Sequence, residues 1–412
     1  MKRALRLLAP VLAGSTLCAE AQDDARPKVR AITAFVRVDR ERADAQLREA
    51  AAMLRGARAS FQKDGWQVET VRVATQPFPE YTRELPRAQA LAFLRELGSL
   101  AEKEEFMLAI GPAMSRDDDD PGQLELLGEL LSGPRRIVNA TALVAGDDGV
   151  HWKVVRAAAR MVKRVSEQSP DSQGNFGFTA AAMMPEYAPF FPAAYHRGAG
   201  RKFAVGLEGA GVVDRAFAEA GSDPVAASAR LKAALARYAS LAERSAQSVA
   251  TQAGWEYLGI DPTPAPLGDV SIGAAIERFT GGRFGSSGTL SAARLVTEAV
   301  QSVPVKQVGY SGLMVPVLED SRLAQRWSEG AIGIDSLLAY SSVCATGIDT
   351  VPLPGEVSEE QLARIIGDVA SLAYKWKKPL TARLLPVKGV AAGQKSHFDD
   401  PSLGNAVLQP LP

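Results

Sequence analysis

Strand-like and helix-like patterns of hydrophobic residues alternate along the first half of the chain. Residues 29–38 (VRAITAFVRV) are rich in β-branched side chains, which is typical of a strand. The strand-like residues 66–74 and 106–110 follow later, and a helical pattern precedes each of them. Because each strand is followed by a helix, we expect parallel strands, right-handed crossovers and an α/β fold. The first helix is predicted from apolar residues at helical spacing, namely Ala43, Leu47, Ala50, Leu54 and Ala57.

One stretch of the second half departs from this alternation. Residues 340–355 (YSSVCATGIDTVPLPG) place small and hydroxylated side chains around Cys344, and a rigid Pro-x-Pro-Gly closes the segment. An acid, Asp349, follows the thiol by five residues. We expect an ordered loop inside a pocket rather than a surface linker.

Composition and charge limit the kinds of ligand or partner that the protein is expected to bind. The chain has 412 residues, 46% of them hydrophobic, which suits a globular protein with a full core. Lys+Arg and Asp+Glu number 47 each, so the basic excess that is usual in nucleic-acid-binding proteins is missing. No stretch approaches the ~20 apolar residues that span a bilayer. We therefore predict a small-molecule ligand or substrate, no nucleic acid and no membrane span; the oligomeric state stays open.

The N-terminus has the pattern of a targeting segment. Lys2 and Arg3 precede a short apolar run, and Ala19-Glu20-Ala21 forms an A-x-A cleavage site. We predict a signal peptide over residues 1–21, export to the periplasm or medium, and a single domain over residues 22–412. The alternative is a mildly apolar tail. Cleavage would leave Cys344 as a lone thiol, which is either buried or reactive.

Two further loops suggest binding or proton transfer. Residues 281–289 are rich in glycine and lead into a helix, so Gly288 and Thr289 are candidates to hold an anion at the helix N-terminus. The alternative is a tight helix entry. Residues 185–196 combine prolines with aromatic side chains. They predict either a pocket wall that offers His196 for proton transfer or a loop packed by its aromatic rings.

Several motifs together resemble the uncharacterised family DUF711, also called UPF0210. They are Asp261-x-Thr263-Pro264, Ser271-Ile272-Gly273, Gly288-Thr289-Leu290, residues 310–320 (YSGLMVPVLED), Ser342-Val343-Cys344, residues 347–355 (GIDTVPLPG), Lys378-Pro379-Leu380, Arg383-Leu384 and residues 189–196 (PFFPAAYH). The resemblance covers most of the chain that follows residue 21.

The resemblance implies a fold similar to the pyruvate formate-lyase-like α/β barrel. That barrel has ten strands in two parallel halves, around a loop on which glycyl radical enzymes carry a cysteine, so Cys344 is expected in the lumen. The family supplies no activity and hence no catalytic residue. The nearest counterpart of a radical glycine segment, Val308-Gly309-Tyr310, precedes the cysteine and follows Lys306-Gln307. We therefore do not expect a functional glycyl radical enzyme.

The first functional hypothesis is a small-molecule enzyme that uses Cys344 as its nucleophile. A neighbouring cation, Lys378 or Arg383, would lower the pKa of the thiol. Three side chains are candidates to move protons, namely Asp349, Glu319 and His196. The candidate ligand-binding residues are Asp261, Ser271, Gly288, Thr289, Ser311, Lys378 and Arg383.

Two other hypotheses belong to different classes. The first is a metal-assisted hydrolase or lyase with an oxygen-rich magnesium or calcium site, built from acids such as Asp261, Glu277, Glu319, Asp320, Asp349 and Asp368. Zinc has no support, because the three histidines are scattered and no H-E-x-x-H or C-x-x-C motif occurs. The second is a periplasmic binding protein without chemistry, which would hold a carboxylate or a sugar. The sequence assigns no metal ligand set and no cofactor.

Overall fold

The computed structural model describes residues 26–133 and 137–411. Within this part of the chain the strands are β1 (Lys28–Val36), β2 (Val68–Thr75), β3 (Met107–Pro112), β4 (Val138–Gly146), β5 (Gly149–Val150), β6 (Phe178–Ala182), β7 (Lys202–Glu208), β8 (Glu256–Asp261), β9 (Gly347–Pro354) and β10 (Leu380–Val387). The α-helices are α1 (Ala43–Lys63), α2 (Pro79–Thr82), α3 (Arg87–Lys103), α4 (Gly122–Leu131), α5 (Trp152–Gln168), α6 (Ala210–Ala220), α7 (Pro224–Ala253), α8 (Ile272–Thr280), α9 (Thr289–Gln301), α10 (Ser321–Ser328), α11 (Ile334–Ser341) and α12 (Glu359–Trp376). A 3₁₀ segment covers Pro170–Gly177.

All ten strands belong to one sheet. Its order is β8-β7-β1-β2-β3-β4-β6-β10-β9, and β5 forms a hairpin with β4. Strands β1, β2, β3, β4 and β6 run parallel to one another. The pairs β7–β8 and β10–β9 are parallel pairs that join this group in the antiparallel direction, through β1 and β6. The sheet therefore consists of two parallel sets that point in opposite directions.

An irregular segment, residues 307–320, links the two ends of this sheet. Ile260 of β8 forms a parallel bridge with Gln307, and Asp349 of β9 forms a parallel bridge with Pro316. The segment therefore lies between the two edge strands and closes the sheet into a barrel. The predicted ten-stranded α/β barrel is confirmed.

The strands are buried on both faces, which explains their nearly continuous apolar sequences. In β1, Ile32 and Ala34 pack with the helices outside the barrel, whereas Phe35 belongs to a separate cluster inside it. Helix α1 covers the outer face with its apolar stripe, which includes Leu47 and Leu54. Successive residues of a strand point to opposite faces, so polar side chains at inward positions are buried in the lumen.

The aromatic loop, defined as residues 185–197, fills part of the lumen. Thr33 of β1 donates a hydrogen bond of 2.7 Å to the carbonyl oxygen of Pro189. The ring of Phe190 lies against Gly206 of β7, where a Cβ atom would be 2.9 Å from the ring. A side chain at position 206 would therefore displace the loop. The loop is therefore packed by its aromatic rings and also lines the lumen, while a role of His196 in proton transfer stays a prediction.

The expectation of a loop over residues 340–355 is wrong for its second half. Residues 347–354 form strand β9, which pairs with β10 over residues that include Pro352 and Pro354. Proline lacks an N–H and is tolerated where a strand pairs regularly on one side only. On its other side β9 makes only an isolated bridge, from Asp349 to Pro316. The N–H groups that Pro352 and Pro354 lack are therefore not needed on that side.

The predicted signal peptide, residues 1–21, lies outside the described residues. None of the helices in the described ranges combines the length and the apolar character that a membrane crossing requires.

Candidate functional site

A cavity of about 190 Å³ lies in the barrel lumen, and we call it the luminal pocket. The rings of the aromatic loop, Phe190 and Phe191, form one wall. Inward positions of the strands and of the closing segment supply polar and charged side chains, namely Arg30, Thr70, Arg72, Asn139, Thr179, Tyr310, Glu319, Asp349, Thr381 and Arg383. The pocket therefore combines an apolar wall with a dense set of charges.

Ion pairs connect most of these charges into a network. The Nε atom of Arg383 donates to Oδ1 of Asp349 at 2.6 Å, and its Nη2 atom donates to Glu319. Glu319 also accepts from Nη2 of Arg30 at 3.2 Å, and Arg30 donates in turn to Glu69 at 2.9 Å. Burial alone would lower the pKa of Arg383, but Asp349 and Glu319 outweigh it and raise that pKa. These groups hold one another in fixed positions.

Arg72 stands apart from this network. Its Nε atom donates to Oγ1 of Thr70 at 2.9 Å, and its guanidinium carbon lies over the Phe191 ring. Among residues 26–133 and 137–411, no carboxylate comes within 4 Å of this guanidinium. Burial, together with the charge of Arg30, lowers the pKa of Arg72 to about 9. Arg72 is thus a cation at neutral pH, only 6% exposed, in a cavity and without a counter-ion.

A hydrogen-bond acceptor and a hydroxyl group also line the pocket. Asp349 uses Oδ1 to accept from Arg383, whereas its Oδ2 atom accepts no hydrogen bond from the described residues. The ring of Tyr310 packs at 6.4 Å from that of Phe190. Burial, with the nearby charge of Asp349, raises the pKa of Tyr310, so its hydroxyl stays protonated at neutral pH. Together the two groups offer one acceptor and one hydroxyl to a ligand.

The mouth of the pocket is formed by two segments that are distant in sequence. Gln173 of the 3₁₀ segment donates from Nε2 to Oδ1 of Asp399 at 2.6 Å. Its Oε1 atom accepts from the backbone N–H of Asp400 at 3.2 Å. Gln173 and Asp400 both line the pocket. The irregular C-terminal tail is therefore part of the wall.

The structure brings three of the predicted site residues together in the pocket, namely Glu319, Asp349 and Arg383. They come from the closing segment and from two adjacent strands, β9 and β10. These three side chains meet because they occupy inward positions on neighbouring segments of the barrel wall.

The expected luminal position of Cys344 is corrected by the structure. The residue is fully buried in the apolar cluster outside the barrel, where Leu337 and Tyr340 of α11 also lie. The Nζ atom of Lys378 donates to the carbonyl oxygens of Ser341 at 2.9 Å, Ser342 at 3.2 Å and Cys344. Lys378 therefore caps the end of α11. The structure does place Lys378, the predicted cation, beside Cys344, although burial lowers the pKa of this lysine. A nucleophilic role for Cys344 stays a prediction.

Asp261 and Ser311 shape the wall of the pocket without reaching into it. Asp261 accepts hydrogen bonds from the hydroxyl of Thr263 at 2.6 Å and from the backbone N–H groups of Tyr310 and Ser311 at 2.7 and 3.2 Å. Burial raises the pKa of Asp261 to about 6 against the effect of these hydrogen bonds. The carboxylate fixes the turn that presents Tyr310 to the lumen.

The remaining candidates lie elsewhere. Ser271 caps α8 and donates to Asp320 at 2.6 Å. Gly288 has φ of 101°, and the hydroxyl of Thr289 accepts from the N–H of Gly285, which agrees with the tight helix entry. His196 stacks on Tyr187 away from the pocket, and burial lowers the pKa of its imidazole.

Sequence reasoning missed Arg30, Arg72, Asn139 and Tyr310. A signal for the two arginines does exist. Each is an arginine within a mostly buried strand, KVRAITAFV for Arg30 and VETVRVAT for Arg72. In a sheet buried on both faces an arginine is costly, so its presence indicates a partner or a ligand.

The metal-assisted hypothesis has no preassembled ligand set in the described ranges. There, no group of three or more histidine, cysteine, aspartate or glutamate side chains is arranged to hold a metal ion. The carboxylates of the pocket are held by arginines instead.

Comparison with solved structures identifies distant neighbours. The anaerobic ribonucleotide reductase from Thermotoga maritima in complex with dATP and CTP aligns with 86% of this chain and 74% of its own, at 9% identity and a TM-score of 0.39. Another chain described as anaerobic ribonucleotide reductase gives a TM-score of 0.41 at 9% identity and covers 86% of this chain and 70% of its own.

Comparison with protein sequences identifies close relatives. A UPF0210 protein of Pyrobaculum islandicum is 31% identical over 347 residues, which cover 80% of this chain and 75% of the relative. A UPF0210 protein of Pyrobaculum arsenaticum is 32% identical over 351 residues, which cover 80% of this chain and 76% of the relative. Residues 22–399 match the family described as "Uncharacterised ACR (DUF711)". The chain belongs to the DUF711 (UPF0210) family.

Proposed function

We propose that the luminal pocket binds a small organic anion, with Arg72 as the group that pairs with its negative charge. The observation that carries this proposal is the unpaired guanidinium of Arg72, 6% exposed in a closed barrel. A buried charge without a partner costs several kcal/mol, whereas a charge that completes its pairing on ligand binding recovers that cost. Guanidinium groups also match carboxylate and phosphate oxygens in geometry.

The size of the pocket limits the ligand. A cavity of about 150 Å³ accommodates benzene, so the 190 Å³ of the luminal pocket suits a compound of about six to ten non-hydrogen atoms. The wall of Phe190 and Phe191 would contact its apolar part, and the charged wall its polar groups. A small molecule fits these dimensions, and a nucleic acid or protein segment does not.

Binding of two simple probes, propionate and inorganic phosphate, tests the proposal. We expect at least one of them to bind the wild-type protein in calorimetric titrations at low ionic strength and without chloride. Arg72→Gln should weaken that binding by about tenfold or more, because a charge-assisted hydrogen bond is worth about 1.5–3 kcal/mol.

The matched control is Arg197→Gln. Arg197 also lies over an aromatic ring of the same loop, with its guanidinium carbon 5.2 Å from the Tyr195 centroid, but it is outside the luminal pocket. This variant should bind the probes as the wild type does. Failure of both probes to bind, or equal affinity in wild type and Arg72→Gln, would contradict the anion-binding function.

A catalytic role for the same pocket is a second candidate function. It rests on the pairing of a carboxylate, Asp349, with a protonated phenol, Tyr310, at one wall of a closed lumen. Such a pair can accept and donate protons on a bound compound. Chemical change of a bound compound that depends on Tyr310 would separate an enzyme from a binding protein.

A further inference from the structure

Besides Arg72, the pocket has a second recognition element, whose role depends on the proposed anion-binding function. The Oδ2 atom of Asp349 is the free acceptor of a carboxylate whose other oxygen is fixed by Arg383 at 2.6 Å. Arg383 is itself fixed by Glu319. The acceptor is therefore preorganised, because three linked side chains hold its orientation before any ligand arrives.

Tyr310 lies beside this acceptor and is equally fixed. The backbone N–H of Tyr310 donates to Asp261 at 2.7 Å, and its ring packs against Phe190. Its hydroxyl lies close to Thr381 and to the carboxylate of Asp349. A ligand hydroxyl can donate to Asp349 and accept from Tyr310 at the same time, because a hydroxyl is both donor and acceptor.

The charge balance of the pocket distinguishes a hydroxyl group from an ammonium group. Three guanidinium groups, those of Arg30, Arg72 and Arg383, face two buried carboxylates, Glu319 and Asp349, in the interior. A third carboxylate, Asp400, lies at the partly exposed mouth of the pocket and is not counted with the interior. Behind Arg30, the charge of Glu69 offsets that of Lys28. Burial raises the pKa of Glu208, which also faces Arg30, to about 7, so its carboxyl group is largely protonated only below that pH. A singly charged anion therefore neutralises the interior, whereas a zwitterion leaves one cation uncompensated.

From these contacts we infer that the ligand is a small hydroxycarboxylate, with its carboxylate on Arg72 and its hydroxyl between Asp349 and Tyr310. An unsubstituted carboxylate leaves the Oδ2 acceptor of Asp349 unused. An amino acid satisfies the acceptor but brings an ammonium group close to Arg383. The hydroxyl substituent alone satisfies both groups without adding charge.

Three probes of one carbon skeleton test this inference, namely propionate, lactate (both enantiomers) and alanine. One enantiomer of lactate should bind the wild-type protein about tenfold more tightly than propionate, since hydrogen bonds to charged groups contribute about 1.5–3 kcal/mol. Alanine should bind more weakly than that lactate. Titration calorimetry at constant pH and ionic strength gives all the dissociation constants.

Two variants locate the effect. Asp349→Asn and Tyr310→Phe should each bring the ratio of lactate to propionate affinity down towards one. Tyr310→Phe keeps the ring that packs on Phe190, so it also tests the inference if Asp349→Asn does not fold. Equal affinity for propionate and lactate in the wild type, or tighter binding of alanine than of lactate, would overturn the hydroxycarboxylate assignment.

The outcomes separate this inference from the proposed function. If propionate binds through Arg72 and neither enantiomer of lactate binds more tightly, the anion site stands and the hydroxycarboxylate assignment fails. If neither propionate nor phosphate binds, the proposed function fails, and the hydroxycarboxylate assignment, which rests on it, fails with it.

Discussion

The guanidinium carbon of Arg72 lies 5.0 Å from the centroid of the Phe191 ring. A contact of this kind contributes about 0.5–2 kcal/mol, which is less than the cost of burying a charge without a counter-ion. In the absence of a bound anion, Arg72 is therefore a net destabilising side chain.

Replacement of Arg72 by methionine should stabilise the protein in the absence of ligand. The variant keeps apolar contact with Phe191 and removes the unpaired charge, so we expect the free energy of unfolding to rise by about 1–2 kcal/mol. Urea denaturation followed by circular dichroism measures the change.

Arg326→Met provides the comparison for a buried arginine that is paired. Arg326 is 7% exposed and donates from Nε to Glu277 at 2.5 Å. Its loss leaves Glu277 without its main partner, so this variant should lose about 3 kcal/mol. A loss of more than about 1 kcal/mol in Arg72→Met would show that Arg72 is structural.

Stability should fall as the pH rises through about 7, because of Glu208. Burial, together with the neighbouring carboxyl of Glu69, raises the pKa of Glu208 from 4.5 to about 7 in the folded protein. Between these values the folded state binds more protons than the unfolded state, so the contribution is complete below pH 4.5 and lost above pH 7. The expected loss between pH 5 and pH 8 is about 2–3 kcal/mol.

Glu208→Gln isolates this effect. The variant should have a nearly constant free energy of unfolding from pH 6 to pH 8, measured by urea denaturation. Below pH 6 the free energy of unfolding of the variant should still fall as the pH rises, since the pKa of Asp261 is also raised, to about 6. Wild type and variant with the same slope above pH 6 would contradict the assignment to Glu208.

Asp320 is expected to be among the most sensitive positions for stability. Its carboxylate accepts from Ser271 Oγ at 2.6 Å, and from the backbone N–H groups of Ile272 at 2.7 Å and Leu323 at 3.0 Å. One side chain thus caps the N-termini of both α8 and α10. Asp320→Ala should cost about 3–4 kcal/mol, because several buried donors lose their acceptor together.

Ser271→Ala is the matched change for Asp320→Ala, since it removes one of these donors and the cap of α8 alone. It should cost about 1 kcal/mol in the same denaturation assay. Similar costs for the two variants would show that Asp320 does not link the helices.

Cys344 should be unreactive in the native protein. The side chain is fully buried among apolar residues, so a thiol reagent cannot reach its sulfur. Peptide mapping by mass spectrometry should find no labelled Cys344 in buffer and complete labelling in denaturant. Rapid labelling of native protein would revive the nucleophile hypothesis.

Much of the fold could be predicted from the sequence. The alternation of strand and helix patterns located β1, β2 and β3 within about two residues, because strands and helices each leave a period in the order of apolar residues. Strand β9 was missed because its prolines are typical of loops, and only its edge-like pairing makes them acceptable.

The site was less accessible to sequence reasoning. Glu319, Asp349 and Arg383 were candidates, but a role for Arg72 depends on which groups surround it, and those come from distant positions. Likewise the sequence made Cys344 prominent as a lone thiol. Its side chain is nevertheless buried outside the barrel, because it points away from the lumen, and the sequence does not reveal that orientation.

By itself the sequence determined the α/β class, the family and the first strands and helix, since these depend on local periodicity and on motifs. Only the tertiary structure decided which side chains face the lumen, that the aromatic loop fills part of it, and that no carboxylate of the described residues pairs with Arg72. The physical reason is that electrostatic pairing depends on distances between residues far apart in sequence, such as Arg72 and Glu319, and the closed barrel sets those distances.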